Sequence, residues 1–169
     1  MLKKSWRNAA IGILVALAVV VAGRIALADN PKCQANEGGC STSVDSSTGV
    51  LTETYALTGL GGTTKVAWVL SATVEGSSQC FTKSGSCPVA ANKFGPGVQT
   101  TTGNFTVHNG NASGSVTLTP QSGFACPKGQ TPTILSVTYS DITFTVDGTV
   151  VDSATGPLSS GTLATCPHS

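Results

Sequence analysis

The clearest pattern along the chain is a row of apolar residues at every second position between Thr64 and Val74, with Lys65, Ser71 and Thr73 on the other face. Successive side chains of a strand point to opposite faces, so apolar residues at every second position predict a strand with one buried face. Trp68 lies in the middle of this stripe, and we interpret it as a core residue rather than a platform for a ligand. The apolar face consists of Val66, Trp68, Leu70, Ala72 and Val74.

Similar patterns predict the other strands. They lie at 50–57, 98–107, 113–119, 133–146 and, as a last short strand, 161–164. The turn residues Asn109-Gly110-Asn111 separate the second and third of these strands. This arrangement predicts a hairpin in which Phe105 and Val107 face Val116 and Leu118. Asp147-Gly148 predicts a second hairpin, with a two-residue type I′ turn.

The stretch 133–146 changes its apolar phase. Its first apolar residues have odd numbers and its last have even numbers, so a regular strand would send the two sets to opposite faces. We therefore expect a bulge or bend near Ser140-Asp141, or a strand that changes sheet there. The two sets are Leu135, Val137 and Tyr139, followed by Ile142, Phe144 and Val146.

Six to eight short strands, joined by irregular stretches at 75–97 and 120–132, predict an all-β fold. The expected architecture is an antiparallel β-sandwich over 50–169, immunoglobulin-like only in the loose sense, with a partly open β-barrel as the alternative. Residues 29–49 lack a periodic apolar pattern, and we interpret them as an N-terminal loop pinned by a disulfide.

The first 28 residues have the organisation of a signal peptide. We expect cleavage after Ala28 and a secreted, extracellular or periplasmic location. The alternative is an uncleaved membrane anchor, but Arg24 shortens the clean apolar run and favours cleavage. The segment begins with the cationic residues Lys3, Lys4 and Arg7, continues with the apolar stretch 9–22, and ends with Ala26-Leu27-Ala28.

Without that segment, the composition excludes one class of partner. Residues 29–169 contain five Lys, no Arg and eight Asp or Glu, which gives a net charge of −3. A nucleic-acid-binding protein needs cations to neutralise phosphates, so we expect no nucleic acid partner. Thr and Ser together supply 42 of these 141 residues and charged residues only 13, so the surface is rich in hydroxyl groups.

An even number of cysteines in an exported chain predicts disulfides. Two pairs share the spacing C-x6-C, which suggests that Cys33 pairs with Cys40 and Cys80 with Cys87. The remaining pair is then Cys126 with Cys166. No C-x2-C motif is present, and we expect neither a metal nor another cofactor. The six residues are Cys33, Cys40, Cys80, Cys87, Cys126 and Cys166.

No catalytic constellation emerges from the sequence. A small secreted hydrolase would need a base such as His108 or His168, or two facing carboxylates. Glu53 and Glu75 are expected to face solvent, and Asp147 is explained by its turn. The carboxylates considered are Glu37, Glu53, Glu75, Asp141, Asp147 and Asp152.

Three aromatic residues in the irregular stretches form a candidate binding face: Phe81, Phe94 and Phe124. The alternative is that they fill the ends of the core.

The sequence thus favours a secreted non-enzymatic module that acts by structural association or by binding a protein or glycan, self-association included. A hydrolase and a subunit of an extracellular filament remain the alternatives. An uncovered edge strand would favour association, whereas an exposed carboxylate pair beside His108 would favour an enzyme.

Overall fold

A computed structural model describes residues 30–62, 64–87 and 91–166, so the predicted signal segment and His168 lie outside the described residues. The chain folds into two antiparallel sheets packed face to face, which confirms the predicted β-sandwich. Both sheets are open, so the barrel alternative is wrong.

The described residues contain nine strands and a 3-10 turn at Ala35–Glu37. In chain order the strands are β1 (Lys32–Cys33), β2 (Cys40–Val44), β3 (Leu51–Thr58), β4 (Lys65–Thr82), β5 (Asn92–Thr106), β6 (Ala112–Leu118), β7 (Gln130–Val146), β8 (Thr149–Ala154) and β9 (Leu158–Ser159). Strands β4 and β5 are much longer than the pattern predicted, and β7 begins three residues earlier.

The smaller sheet is built around β3. Strand β6 pairs with one side of β3, while β1 and β2 pair with its other side at successive positions. The segment 29–49, predicted to be a loop, therefore contributes two strands. The Cys33–Cys40 disulfide joins those two strands, as the spacing predicted.

The larger sheet has the order β5-β4-β7-β8, and β9 also pairs with β7. Strand β4 continues through the region predicted to be irregular and reaches Thr82, because the long β7 strand pairs with it as far as Gln130. The two sheets enclose one apolar cluster, in which Leu70, Tyr139 and Phe144 are among the fully buried side chains.

The predicted hairpin between 98–107 and 113–119 is wrong. Strand β5 pairs with β4 in the larger sheet, whereas β6 pairs with β3 in the smaller one. The short bridge between His108 and Asn111 closes a tight turn, and the chain then crosses from one sheet to the other. Val107 and Val116 are both buried, but they reach the core from opposite sheets.

The predicted phase change in β7 is confirmed. Ser71 pairs with Thr143 and Thr73 with Ser140, so two residues of β7 lie opposite Ala72. This is a β-bulge, and Asp141 adopts a left-handed φ of 49° within it. The bulge keeps Val137 and Tyr139 on the same buried face as Ile142, Phe144 and Val146, whereas Leu135 lies outside the core.

The turn at Asp147-Gly148 is also confirmed. Val146 pairs directly with Thr149, and the two turn residues have φ values of 48° and 79°. Positive φ at both central positions is the signature of a type I′ turn.

All six cysteines form disulfides, but two of the expected pairs are wrong. Cys80 pairs with Cys126, and Cys87 pairs with Cys166. Cys80 lies within the extended β4, where its side chain is buried and cannot turn back toward Cys87. The two disulfides instead tie the far end of the β4 region to the segments before and after β7 and β8.

Candidate functional site

The two long sides of the sandwich differ. On the side of β8, the sheets approach closely: the Cys33 sulfur lies 3.2 Å from the carbonyl oxygen of Val151. No strand pairing joins the two sheets on either side among the described residues, but on the side of β5 and β6 two clefts lie between the sheets. We call the first the closed side and the second the open side.

A carboxylate pair lies between the sheets near the closed side. Glu53 of β3 is fully buried, with 0% of its surface exposed, so the expectation that it faces solvent is wrong. Asp152 of β8 pairs with the buried Phe144 and so points into the same interior. Asp152 lies close enough to Glu53 for the two side chains to interact.

The environment of Glu53 favours its protonated form. Burial raises the pKa of Glu53 to about 7, the hydroxyl of Thr42 opposes that shift, and the nearby Asp152 carboxylate adds to it. Thr42 Oγ1 donates a 2.6 Å hydrogen bond to Glu53 Oε2. Glu53 Oε1 has no hydrogen-bonding partner in the described part of the chain. A proton held by the pair reduces the repulsion between its two carboxyl groups.

Glu53 and Asp152 do not form the exposed carboxylate pair beside His108 that would favour an enzyme. Glu53 has no contact with solvent, so a substrate has no path to it in this conformation. His108 is exposed and lines a cleft on the open side, and neither Glu53 nor Asp152 lines that cleft. Within the described residues, no group of three or more His, Cys, Asp or Glu side chains could hold a metal ion.

The main feature of the open side is the edge strand β5. Its 15 residues pair with β4 along one side only, and no described strand pairs with the other side. Thr100, Thr102, Asn104 and Thr106 are exposed, while the alternate residues are partly buried. Val98 is 73% exposed and is one of two large apolar side chains with such exposure in the described chain.

Between Gly97 and Thr106, the β5 edge carries none of the charges that commonly protect an edge strand against strand addition. No Asp, Glu, Lys or Arg occurs between Phe94 and Thr106, and none occurs in β6. Pro96 breaks the row of N–H donors near the start of the strand, which leaves Gly97–Thr106 as a continuous run. Natural edge strands are commonly protected by charges, bulges or a covering segment.

Two shallow clefts lie along the open side. The first, of about 420 Å³, lies between β5 and the end of β6 and is lined by Phe94, Val98 and Leu118 among others. The Gln99 side chain crosses it, donating a 2.6 Å hydrogen bond to the Gln121 carbonyl and accepting one of 2.9 Å from the Gln121 N–H. This amide bridge ties β5 to the segment after β6.

The second cleft, of about 440 Å³, lies at the other end of the open side. Tyr55 and Phe105 form part of its wall, with stacked rings whose centroids are 5.2 Å apart. Gln34 Nε2 donates a 3.0 Å hydrogen bond to Asn111 Oδ1 at its rim. His108 also lines this cleft.

The three phenylalanines of the predicted binding face are distributed over different elements. Phe81 lies on β4, Phe94 on β5 and Phe124 in the segment after β6, and all three are partly buried. Phe94 packs over Gly76 and against the core. The close ring pairs of the described residues join Tyr55 to Phe105 and to Phe144, so none links two of these three. Their role as a binding face stays a prediction.

Comparison of the chain with protein-family models, with curated proteins and with solved structures found no match. No helix in the described ranges has the length and apolar character needed to cross a membrane. The three disulfides indicate folding in an oxidising environment.

Proposed function

We propose that this chain is a secreted, non-enzymatic module that associates with another protein chain through the β5 edge. The observation that carries this proposal is the run Gly97–Thr106, an uncovered strand of ten residues without an ionised side chain. Alternate residues of such a strand present their N–H and C=O groups outward, and an added strand can bind them.

The rest of the sandwich supports the proposal because it holds the β5 edge rigid. Two disulfides, Cys80–Cys126 within β4 and Cys87–Cys166 just beyond it, and a continuous apolar core hold β4, the neighbour of β5, in place. A preorganised edge loses little conformational entropy when a partner strand binds, so more of the interaction energy contributes to affinity. The other edge strand of this sheet, β8, is shorter, with six residues, and includes Asp152.

The alternatives gain less support. A hydrolase would need an accessible acid–base pair, and Glu53 is buried away from the cleft that holds His108. A filament requires two different complementary surfaces that repeat without closing. The described residues show two edge strands on the open side, β5 and β6, but no pair of surfaces that are complementary to each other. A glycan-binding face would need exposed aromatic side chains, and the three candidate phenylalanines are each partly buried.

Site-specific photo-crosslinking in the producing cell tests the proposal. A photoreactive amino acid replaces Thr102 on β5 or, as the matched control, Ser153 on β8, since both residues are exposed on edge strands of the same sheet. We expect crosslinked protein adducts from position 102, mapped by mass spectrometry to an extended segment of the partner. Adducts from position 153 alone, or from neither position, would contradict the proposed function.

A further inference from the structure

Resting on the proposed function, we infer that the partner strand at the β5 edge is the β5 strand of a second copy of this chain. The two strands pair antiparallel about a two-fold axis, with Thr101 opposite Thr101. The pairing joins the two larger sheets into one continuous sheet. An isologous contact of this kind closes on itself and produces a dimer.

The side chains of β5 are complementary to their own reversed order. In an antiparallel pair about Thr101, each residue lies opposite the residue that is equally far on the other side of Thr101. On the inner face, Phe105 then lies opposite Gly97, and Gln99 lies opposite Gly103. Phe105 therefore meets a glycine above which a side chain has open space, while Gln99 meets Gly103, which the Trp68 indole covers.

The side chains on the outer face of the paired strands also fit the register about Thr101. Thr100 lies opposite Thr102 twice in the dimer, and Val98 lies opposite Asn104. Cross-strand Thr–Thr pairs are favourable in antiparallel sheets, and Val98 loses part of its large exposure. The arrangement preserves the inward and outward faces, because residues that lie opposite each other have the same parity.

Neighbouring registers fit less well. If the axis passed through Thr102, Gln99 would lie opposite Phe105, so two large side chains would compete for one space. If the axis passed through Thr100, Gly97 would lie opposite Gly103, and the open space above Gly97 would stay unfilled. The register about Thr101 avoids both defects.

Charge does not oppose a second copy at this edge. Residues 29–169 carry a net charge of −3, so like charges work against contact between two copies wherever acidic residues would meet. The β5 run 94–106 and the β6 strand beside it contain no Asp, Glu, Lys or Arg, which removes like-charge contacts from this side. Lys93 lies beyond Pro96, outside the paired segment.

Disulfide trapping tests the register. In Thr101→Cys, the two introduced sulfurs lie on directly opposed residues, whose Cβ separation suits a disulfide. In the matched control Val98→Cys, the two introduced cysteines are six residues apart along the paired strands, about 20 Å at the rise of a strand. We expect a covalent dimer from Thr101→Cys under mild oxidation and a largely monomeric Val98→Cys. A non-reducing peptide map checks that the three native disulfides are intact in both.

Sedimentation equilibrium of the unaltered protein supplies a second measurement that needs no added cysteine. We expect a reversible dimer whose dissociation constant rises at least about tenfold in Thr102→Lys and stays near its original value in Ser153→Lys. Equal trapping of Thr101→Cys and Val98→Cys would overturn the register. If the protein stays monomeric at its highest soluble concentration, the inference that the partner is a second copy of this chain is wrong.

The two proposals fail in distinguishable ways. A monomeric protein whose position 102 crosslinks to a different protein in the producing cell would contradict the self-pairing and leave the proposed function intact. A monomeric protein with no adduct at position 102 would contradict both. A crosslink from position 102 to a second copy of the chain would support both.

Discussion

The Thr42 hydroxyl donates a 2.6 Å hydrogen bond to the carboxyl group of Glu53 across two neighbouring strands of the smaller sheet. This contact satisfies only one oxygen of a fully buried acid whose other neighbour is the Asp152 carboxylate. Burial raises the pKa of Glu53 to about 7, and Asp152 adds to the shift. The stability of the sandwich should therefore depend on whether Glu53 holds its proton.

We predict that stability falls as the pH rises from about 4.5 to 7. In that window the unfolded chain releases the Glu53 proton while the folded chain keeps it, so the folded state binds more protons. The predicted loss is roughly 3 kcal/mol at 1.4 kcal/mol per pKa unit. Hydrogen bonds from the Ser47 side chain and from the Ser47 and Thr48 N–H groups lower the pKa of Asp45 to about 2. Its contribution to stability is therefore lost only as the pH falls below about 4, outside this window.

Urea unfolding at several pH values, with the disulfides intact, measures this dependence. Glu53→Gln should flatten it, because an amide of nearly the same shape cannot ionise. The matched control is Glu75→Gln, which changes an exposed carboxylate. A wild-type stability that increases between pH 4.5 and 7, or a Glu53→Gln variant with an unchanged slope, would refute this account of the pair.

The disulfides should differ in how much they stabilise the fold. Cys87–Cys166 closes a loop with a sequence separation of 79, whereas Cys33–Cys40 closes one of 7. Loop entropy predicts that replacing the first pair by Ser costs about 2 kcal/mol more than replacing the second. Denaturant unfolding of the two double variants gives the comparison, and equal losses would show that loop length does not determine the effect.

Tyr139 should contribute to stability through its hydroxyl group. This residue is fully buried, and its Oη donates a 2.7 Å hydrogen bond to the carbonyl oxygen of Gly49. Tyr139→Phe leaves that carbonyl without the phenol donor, so we expect a loss of about 1–2 kcal/mol in the free energy of unfolding. Tyr55→Phe serves as the comparison for removing a phenol, and a neutral Tyr139→Phe variant would contradict the role of this bond.

Gly103 should be required for the position of Trp68. A Cβ atom added at Gly103 would lie 2.6 Å from Cζ2 of the Trp68 indole, too close for the ring to stay in place. Gly103→Ala should therefore displace the indole and shift its fluorescence, while Gly97→Ala, where a Cβ meets open space, should leave it unchanged. Identical emission spectra for both variants would contradict the packing described for Trp68.

The sequence allowed correct predictions where the determining information is local. The type I′ turn depends on Asp147-Gly148 themselves, and the β7 bulge follows from the change of apolar phase around Asp141. Both features are set by residues within a few positions of each other.

Features that depend on long-range pairing were predicted less well. A tight turn at Asn109-Gly110 fits a hairpin and also a crossing between sheets, and only the partners of β5 and β6 distinguish the two. Equal C-x6-C spacing likewise does not imply proximity, because the extended strand β4 separates Cys80 from Cys87. Glu53 did leave a signal: it has the same parity as Leu51 and Tyr55, which marks the buried face of β3.

Residue-resolved amide hydrogen exchange along Gly97–Thr106 tests the central claim most directly. In dilute protein, every second amide of this run should exchange rapidly, because its N–H points away from β4, while the intervening amides are protected by β4. Association should slow the rapid set. Slow exchange of all these amides in dilute protein would show that the β5 edge is already covered. Rapid exchange that persists in the associated state would show that the partner binds elsewhere.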